Sequence, residues 1–242
     1  SHLSYTYPHM FRHLLNALLD LLLPRCCFGC RQSGTVLCEK CASAREPADP
    51  FDALASPSLR RSGPEIYALF AYRDPVIRRM IWALKYRGGQ AVGLTFGSLL
   101  YDYLTEDLSD ASTLGGGDQD FLVIPIPLAP SRARERGYNQ ATTIARGFIR
   151  RGGRLARHEG GNFTLMENIL RRTRDTGSQT EIRERTKRLA NMRKAFAVVN
   201  PETVRGKQII IIDDVITTGG TMIEARQALT RAGVKIVISA AI

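Results

Sequence analysis

A thirteen-residue stretch near the C-terminal end, Ile209 to Thr221, constrains this chain more than any other feature. It reads I-I-I-I-D-D-V-I-T-T-G-G-T. Four consecutive isoleucines, Ile209 to Ile212, have the unbroken β-branched character of a strand buried on both faces, as in a parallel sheet. Asp213, Asp214 and Val215 fall where such a strand leaves its sheet. Thr217, Thr218, Gly219, Gly220 and Thr221 form a loop, and a helical pattern begins at Met222. A strand, a Gly/Thr loop and a helix N-terminus make a phosphate cradle, because glycines admit close backbone approach and the helix dipole favours negative charge.

The loop has no Lys, so it is not a Walker A sequence, and the G-x-G-x-x-G spacing is absent. Two acids beside a phosphate would repel it. They make sense as acceptors for sugar hydroxyls, or as ligands of Mg²⁺ through water. A ligand with a 5′-phosphate and a ribose diol meets both demands. The stretch closely resembles the PRPP-binding motif of the type I phosphoribosyltransferases, where PRPP is 5-phosphoribosyl 1-pyrophosphate.

A second anion site is expected after the strand Phe121 to Ile126. The segment from Leu128 to Gln140 carries Ser131, Arg132, Arg134 and Arg136 and is read as a loop, with Asn139 capping a helix over 141–151. In an α/β sheet it would share an edge with the Asp-Asp loop. Charge points the same way. Of the net charge of +11, all the surplus lies between Arg132 and Lys194, where 17 basic residues face 6 acidic ones. A basic middle beside a phosphate pocket suggests an anionic substrate, nucleic acid, or both. Arg136, Arg171, Arg172 and Arg174 are the candidate nucleic-acid contacts, and the polar segment from Arg171 to Thr180 is either mobile or ordered by a ligand.

Five cysteines lie between Cys26 and Cys41, and the chain has no others. Cys27-x₂-Cys30 and Cys38-x₂-Cys41 supply four thiolates for a tetrahedral Zn²⁺, with Gly29 and Gly34 allowing the turns. Cys26 is the spare, although Cys26-x₃-Cys30 is an alternative first knuckle. A disulfide framework is disfavoured by the odd count. With no nearby His or acid, the zinc is expected to be structural.

No run reaches the roughly 18–20 apolar residues of a membrane span. Leu14 to Leu23 is interrupted by Asn16 and Asp20 and reads as an amphipathic helix rather than a signal peptide. Met10 is a candidate natural start, and a cytoplasmic location is expected. The remaining pattern alternates strands (66–72, 165–170, 195–199, 209–212, 234–240) with helices (74–86, 91–104, 181–189, 222–232). The expected fold class is α/β, a mostly parallel sheet covered on both faces. The expected domains are residues 14–48, an N-terminal helix and Cys₄ module, and residues 64–242, the nucleotide-type fold, joined by a Pro/Ser/Ala-rich linker.

The order of features is itself informative: the cysteine module, Ile81-Trp82-Ala83-Leu84-Lys85-Tyr86, Pro125-Ile126-Pro127, Arg136-Gly137-Tyr138-Asn139-Gln140, the region of Arg172, Gln179, Arg188 and Asn191, Phe196, and Asp213-Asp214. Together they resemble the ComF family of phosphoribosyltransferase-like proteins over nearly all of the chain after Leu14. The resemblance implies a type I phosphoribosyltransferase fold with a zinc module, and a role in natural transformation through handling of single-stranded DNA. Competence helicases or other DNA-processing proteins would be its partners. It implies that Asp213 and Asp214 bind the ribose hydroxyls and Mg²⁺ and that Thr217 to Thr221 hold the 5′-phosphate. The loop at Ser131 and Arg132 would hold the pyrophosphate, and the Arg171–Gln179 segment would close over the site. One departure stands out: Thr217 occupies a position where purine-salvage enzymes often carry a third acid. Either pentosyl transfer to an unidentified acceptor or PRPP sensing without catalysis is compatible with these residues.

Overall fold

The computed structural model describes residues 25–48, 66–87, 89–110, 120–155, 163–173 and 195–242. The expected helices over 14–23 and 181–189, most of the linker, and the positions of Arg174, Gln179, Arg188 and Asn191 lie outside the described residues. The chain divides into two compact units, residues 1–45 and 46–242. In the smaller unit the described residues form a turn-rich module ending in one short helix, α1 (Glu39–Ser43).

The larger unit is built on five parallel strands. In chain order these are β1 (Ile66–Ala68), β2 (Phe121–Pro125) and β3 (Phe163–Leu165), followed after a separate ribbon by β6 (Gln208–Ile212) and β7 (Ile236–Ala241). The spatial order is β1-β7-β6-β2-β3. Ile209 to Ile212 have no solvent exposure, as a strand at the middle of such a sheet requires. Ile209 and Ile211 pack with Met222, Ala225 and Leu229 of helix α6 (Gly220–Arg231). The alternate residues face the other side, because successive side chains of a strand point oppositely.

That other side carries α3 (Gln90–Asp110) and α5 (Gln140–Leu155), which pack closely on each other. Small residues permit the approach. A Cβ at Gly97 would lie 2.0 Å from the Ile144 carbonyl oxygen, and one at Gly147 would lie 2.4 Å from that of Leu94. Phe96, Leu100 and Leu104 of α3 are fully buried, while Phe148, Tyr101, Phe121 and Phe163 form an edge-to-face and stacked aromatic cluster at the β3 edge of the sheet.

Helix α2 (Pro75–Tyr86) starts where Asp74 and Pro75 predict. The Asp74 carboxylate accepts from the Val76 and Ile77 amides at 2.8 and 3.1 Å, and proline occupies the first turn.

Three expectations need correcting. The arginine segment after β2 is not a loop throughout: Pro130–Arg136 is a short helix, α4, because proline is pre-set for the first helical position and Gly137 ends it at φ 73°. The single strand expected over 165–170 is two strands, β3 in the sheet and β4 (Leu170–Arg172) outside it. The strand expected near 195–199, β5 (Phe196–Val198), pairs antiparallel with β4 as a two-stranded ribbon rather than joining the parallel sheet. Both ribbon strands are only three residues long. Leu170 and Phe196 anchor them to the core beneath α6.

Candidate functional site

The position of the site follows from strand order. The chain steps outward from β2 to β3, then returns to place β6 on the other side of β2. The direction in which the chain adds strands to the sheet therefore reverses between β2 and β6, and the crevice beyond the C-terminal ends of those parallel strands is where open α/β sheets bind ligands. Register brings the two ends level: Pro125 pairs with Ile212, and the Ile126 amide donates to the Ile212 carbonyl at 2.8 Å. The α4 segment and the Asp-Asp loop thus emerge side by side.

Asp213 and Asp214 sit at the mouth of this crevice. The Asp213 amide donates to the Ala240 carbonyl at 3.0 Å, which ties the loop's first residue to β7. One Asp213 carboxylate oxygen accepts from the Asp214 amide at 2.8 Å. The Asp213 carboxyl is pushed up to about 7, first by its withdrawal from water and then by the charge of Asp214; the Asp214 amide, Lys85 and Arg172 act against the rise. Asp214 is held by Lys85, with Nζ 3.1 Å from Oδ2 and both side chains mostly covered.

The phosphate-cradle geometry is present. Gly219, buried at φ 71°, caps α6 in a left-handed conformation that glycine adopts without steric cost. No side chain caps the helix. Thr217 and Thr218 are exposed, while Val215, Gly220 and Thr221 are half-buried. The dipole and first-turn amides of α6 therefore lie at the end of the Thr/Gly loop.

On the neighbouring segment Ser131, Arg132 and Arg134 are exposed on α4. Arg136 is different: it donates to Gln140 Oε1 at 3.0 Å and its guanidinium lies 5.6 Å over the Tyr86 ring. The motif Arg136 to Gln140 is a structural corner. Asn139 donates to the Ile126 carbonyl at 2.9 Å and accepts from the Ala141 amide at 3.1 Å, capping α5 and fixing it to the end of β2. The Tyr138 hydroxyl donates to the Leu84 carbonyl, which joins this corner to α2.

Arg172 was expected among the nucleic-acid candidates. It lies over the Phe196 ring at 5.2 Å, and its charge acts on Asp213. Arg171, its neighbour, is exposed, and Arg174 lies outside the described residues. Lys85 was missed in the sequence. It is the last basic residue of a helix that otherwise reads as a basic outer face with a buried apolar stripe, and only the pairing to Asp214 sets it apart.

In the smaller unit the sulfur atoms of Cys27, Cys30, Cys38 and Cys41 lie within 4.8 Å of one another. The Cys27–Cys38 and Cys30–Cys38 separations are 3.7 and 3.6 Å. Thiolates at ~2.3 Å from a tetrahedral Zn²⁺ stand about 3.8 Å apart, so the spacing fits such an ion. Cys26 is exposed and outside this group. Burial pushes the Cys27 thiol up, but amides from Cys38, Cys30 and Gly29, together with the Cys38 thiol, outweigh it and bring it down to about 6. The Cys41 thiol is pushed up to about 12 by its hydrogen bond with Cys38, then by burial and by Cys30 and Cys27. A cation at the centre would remove that conflict between neighbouring sulfurs. Gly29 is required for room rather than for φ: a Cβ there would meet Cys41 Sγ at 2.6 Å. The left-handed positions of the module are Arg31 and Gly34.

The phosphoribosyl transferase domain family matches residues 141–242, which include α5, the ribbon, β6, the Asp-Asp loop and α6. Competence protein F of Haemophilus influenzae is 31% identical over 114 residues, covering 47% of this chain and 45% of that protein. DNA utilization protein YhgH of Escherichia coli O157:H7 is 32% identical over 111 residues, covering 46% and 44%. Competence protein ComFC of Bacillus subtilis is 26% identical over 166 residues, covering 69% and 58%. The matched region is thus about half the length of these relatives.

The raised Asp213 makes a direct stability prediction. The folded protein holds the proton to about 7, against an ordinary 3.8, so the stabilisation from that proton is complete below 3.8 and is lost as pH rises to about 7. Asp213→Asn keeps the oxygen that accepts from the Asp214 amide but does not ionise. The Tm of Asp213→Asn minus that of the wild type should therefore grow between pH 5 and pH 8 in thermal melts. A constant difference would mean that Asp213 titrates normally.

Proposed function

We propose that this chain is a phosphoribosyltransferase-like member of the ComF family, that it binds PRPP with Mg²⁺ at the Asp213–Thr221 loop, and that it serves DNA uptake in natural transformation. Its larger unit has the parallel-sheet α/β fold of type I phosphoribosyltransferases. The observation that carries the reading is the carboxylate pair at the point where the strand order reverses. Asp213 and Asp214 leave β6 together, at the start of the loop that leads into α6, whose N-terminus no side chain caps.

Asp213 and Asp214 accept from the ribose hydroxyls and hold the cation. The Thr217–Thr221 backbone and the α6 dipole take the 5′-phosphate. Ser131 and Arg132, on the adjacent α4, take the pyrophosphate. Bound Mg²⁺ supplies charge neutralisation for the pyrophosphate. If transfer occurs, the bond from C1 to pyrophosphate oxygen breaks as a nitrogen nucleophile attacks C1, and the arginines stabilise the departing charge. The Asp pair orients the sugar for that displacement. Exposed Thr217, in the position where salvage enzymes often carry a third acid, favours a second reading in which the same site senses PRPP without catalysis. The four-cysteine module holds a structural Zn²⁺.

Calorimetric titration with PRPP and Mg²⁺ should show saturable binding by the wild type and none by the folded Asp213→Asn/Asp214→Asn variant, and loss of the gene should lower transformation. Equal binding by both proteins would place the ligand elsewhere, and unchanged transformation would remove the DNA-uptake role. Elemental analysis of the purified protein should give one zinc per chain, falling below half in Cys38→Ser; a metal-free, folded wild type would refute the zinc assignment.

A further inference from the structure

Helix α2 has one buried and one solvent-facing side. Val76, Ile77, Met80, Ile81, Ala83 and Leu84 are buried, which leaves Arg78, Arg79, Trp82 and Tyr86 along the outer face. Trp82 and Tyr86 are 49% and 55% exposed, among the few large hydrophobic side chains that reach solvent in the described residues. They stand four residues apart on the helix, with ring centroids 5.8 Å apart and planes inclined at 45°. Single exposed aromatics are ordinary on protein surfaces. An adjacent pair held by cations is not.

The Arg87 guanidinium lies 4.8 Å over the Trp82 ring, and Arg136 lies 5.6 Å over that of Tyr86. Each contact restrains its ring and places positive charge over one of its two faces. The helix itself contributes Arg78, Arg79 and Lys85 and no exposed acid; Asp74 is buried as its cap. Asp214 reaches this helix from the crevice and is taken up by Lys85. The face therefore combines two exposed aromatic rings with the positive charge of Arg78 and Arg87, both exposed. That combination matches a strand whose bases are unstacked and whose phosphates run alongside. A duplex keeps its bases stacked inside and offers the rings nothing to stack on.

We propose that this face of α2 binds single-stranded nucleic acid, with unpaired bases stacked on Trp82 and Tyr86 and phosphates against Arg78 and Arg87. Arg136 braces Tyr86 from the segment that also carries Ser131 and Arg132. The proposal rests on the nucleic-acid part of the preceding reading and gives it a surface. It does not depend on PRPP binding. It also moves the principal contact away from Arg171, Arg172 and Arg174, since Arg172 is engaged with Phe196 and Asp213.

Trp82 is the only tryptophan in the chain, so its fluorescence reports on this face alone. The test titrates the full-length protein with a fluorescein-labelled 15-nucleotide oligothymidine for anisotropy, and with the unlabelled oligonucleotide for Trp82 emission. Quenching should saturate in step with anisotropy, and affinity should fall steeply with added salt. Trp82→Ala/Tyr86→Ala should weaken binding by at least roughly tenfold. Trp82→Phe/Tyr86→Phe should retain most of it, Arg171→Glu should have the smaller effect, and a blunt duplex should compete poorly. Circular dichroism melting and PRPP titration of the alanine variant check that its site is intact. Oligonucleotide binding without Trp82 quenching, or with undiminished affinity in the alanine variant, would overturn this face while leaving nucleic-acid binding standing. No binding by the folded wild type would overturn both.

Discussion

The site depends on two carboxylates forced together at the end of a fully buried strand. Asp213 leaves β6 with its amide fixed to β7 and its carboxyl withdrawn from water, and Asp214 follows at once. Such a pair is costly, because like charges at close range raise one group's proton affinity. The surrounding structure offsets the cost from two directions. Lys85 comes from α2 to pair with Asp214, and Arg172 comes from the β4–β5 ribbon to act on Asp213. A divalent cation and a sugar diol would meet the same demand.

That arrangement explains why the less regular parts of the larger unit are built as they are. The β4–β5 ribbon contributes nothing to the parallel sheet, yet Leu170 and Phe196 fix it to the core and so bring Arg172 to the crevice. The corner from Arg136 to Gln140 links the end of β2, the cap of α5 and the end of α2 through Asn139 and Tyr138. It thereby links the segment of Ser131 and Arg132 to the helix that carries Lys85, Trp82 and Tyr86. Ligand at the crevice and ligand on the α2 face would share this corner.

The parts of the fold that were legible in the sequence are those whose signal is local. The Ile209–Ile212 run, the Asp74-Pro75 helix start, the Asn139 cap and the Gly219 turn each carry their own chemistry within a few residues. Cys27, Cys30, Cys38 and Cys41 were legible by spacing, whereas the exclusion of Cys26 needed the three-dimensional position of its sulfur. What escaped depended on partners distant in sequence. Nothing near Lys85 announces Asp214, and three-residue strands such as β4 and β5 are too short for periodicity to assign them to a sheet or to a ribbon. The α4 helix escaped because its arginines outweighed the Pro130 start and Gly137 stop in a reading made for charge.

The most direct measurement is a carbon-13 NMR titration of the Asp213 carboxyl, assigned with Asp213→Asn, in the ligand-free protein and again with Mg²⁺ and PRPP. The free protein should titrate at about 7, and ligand should shift the midpoint downward by stabilising the ionised form. An ordinary midpoint near 3.8 that ligand leaves unchanged would contradict the account, because the carboxylate pair would then be neither held against ionisation nor used to bind.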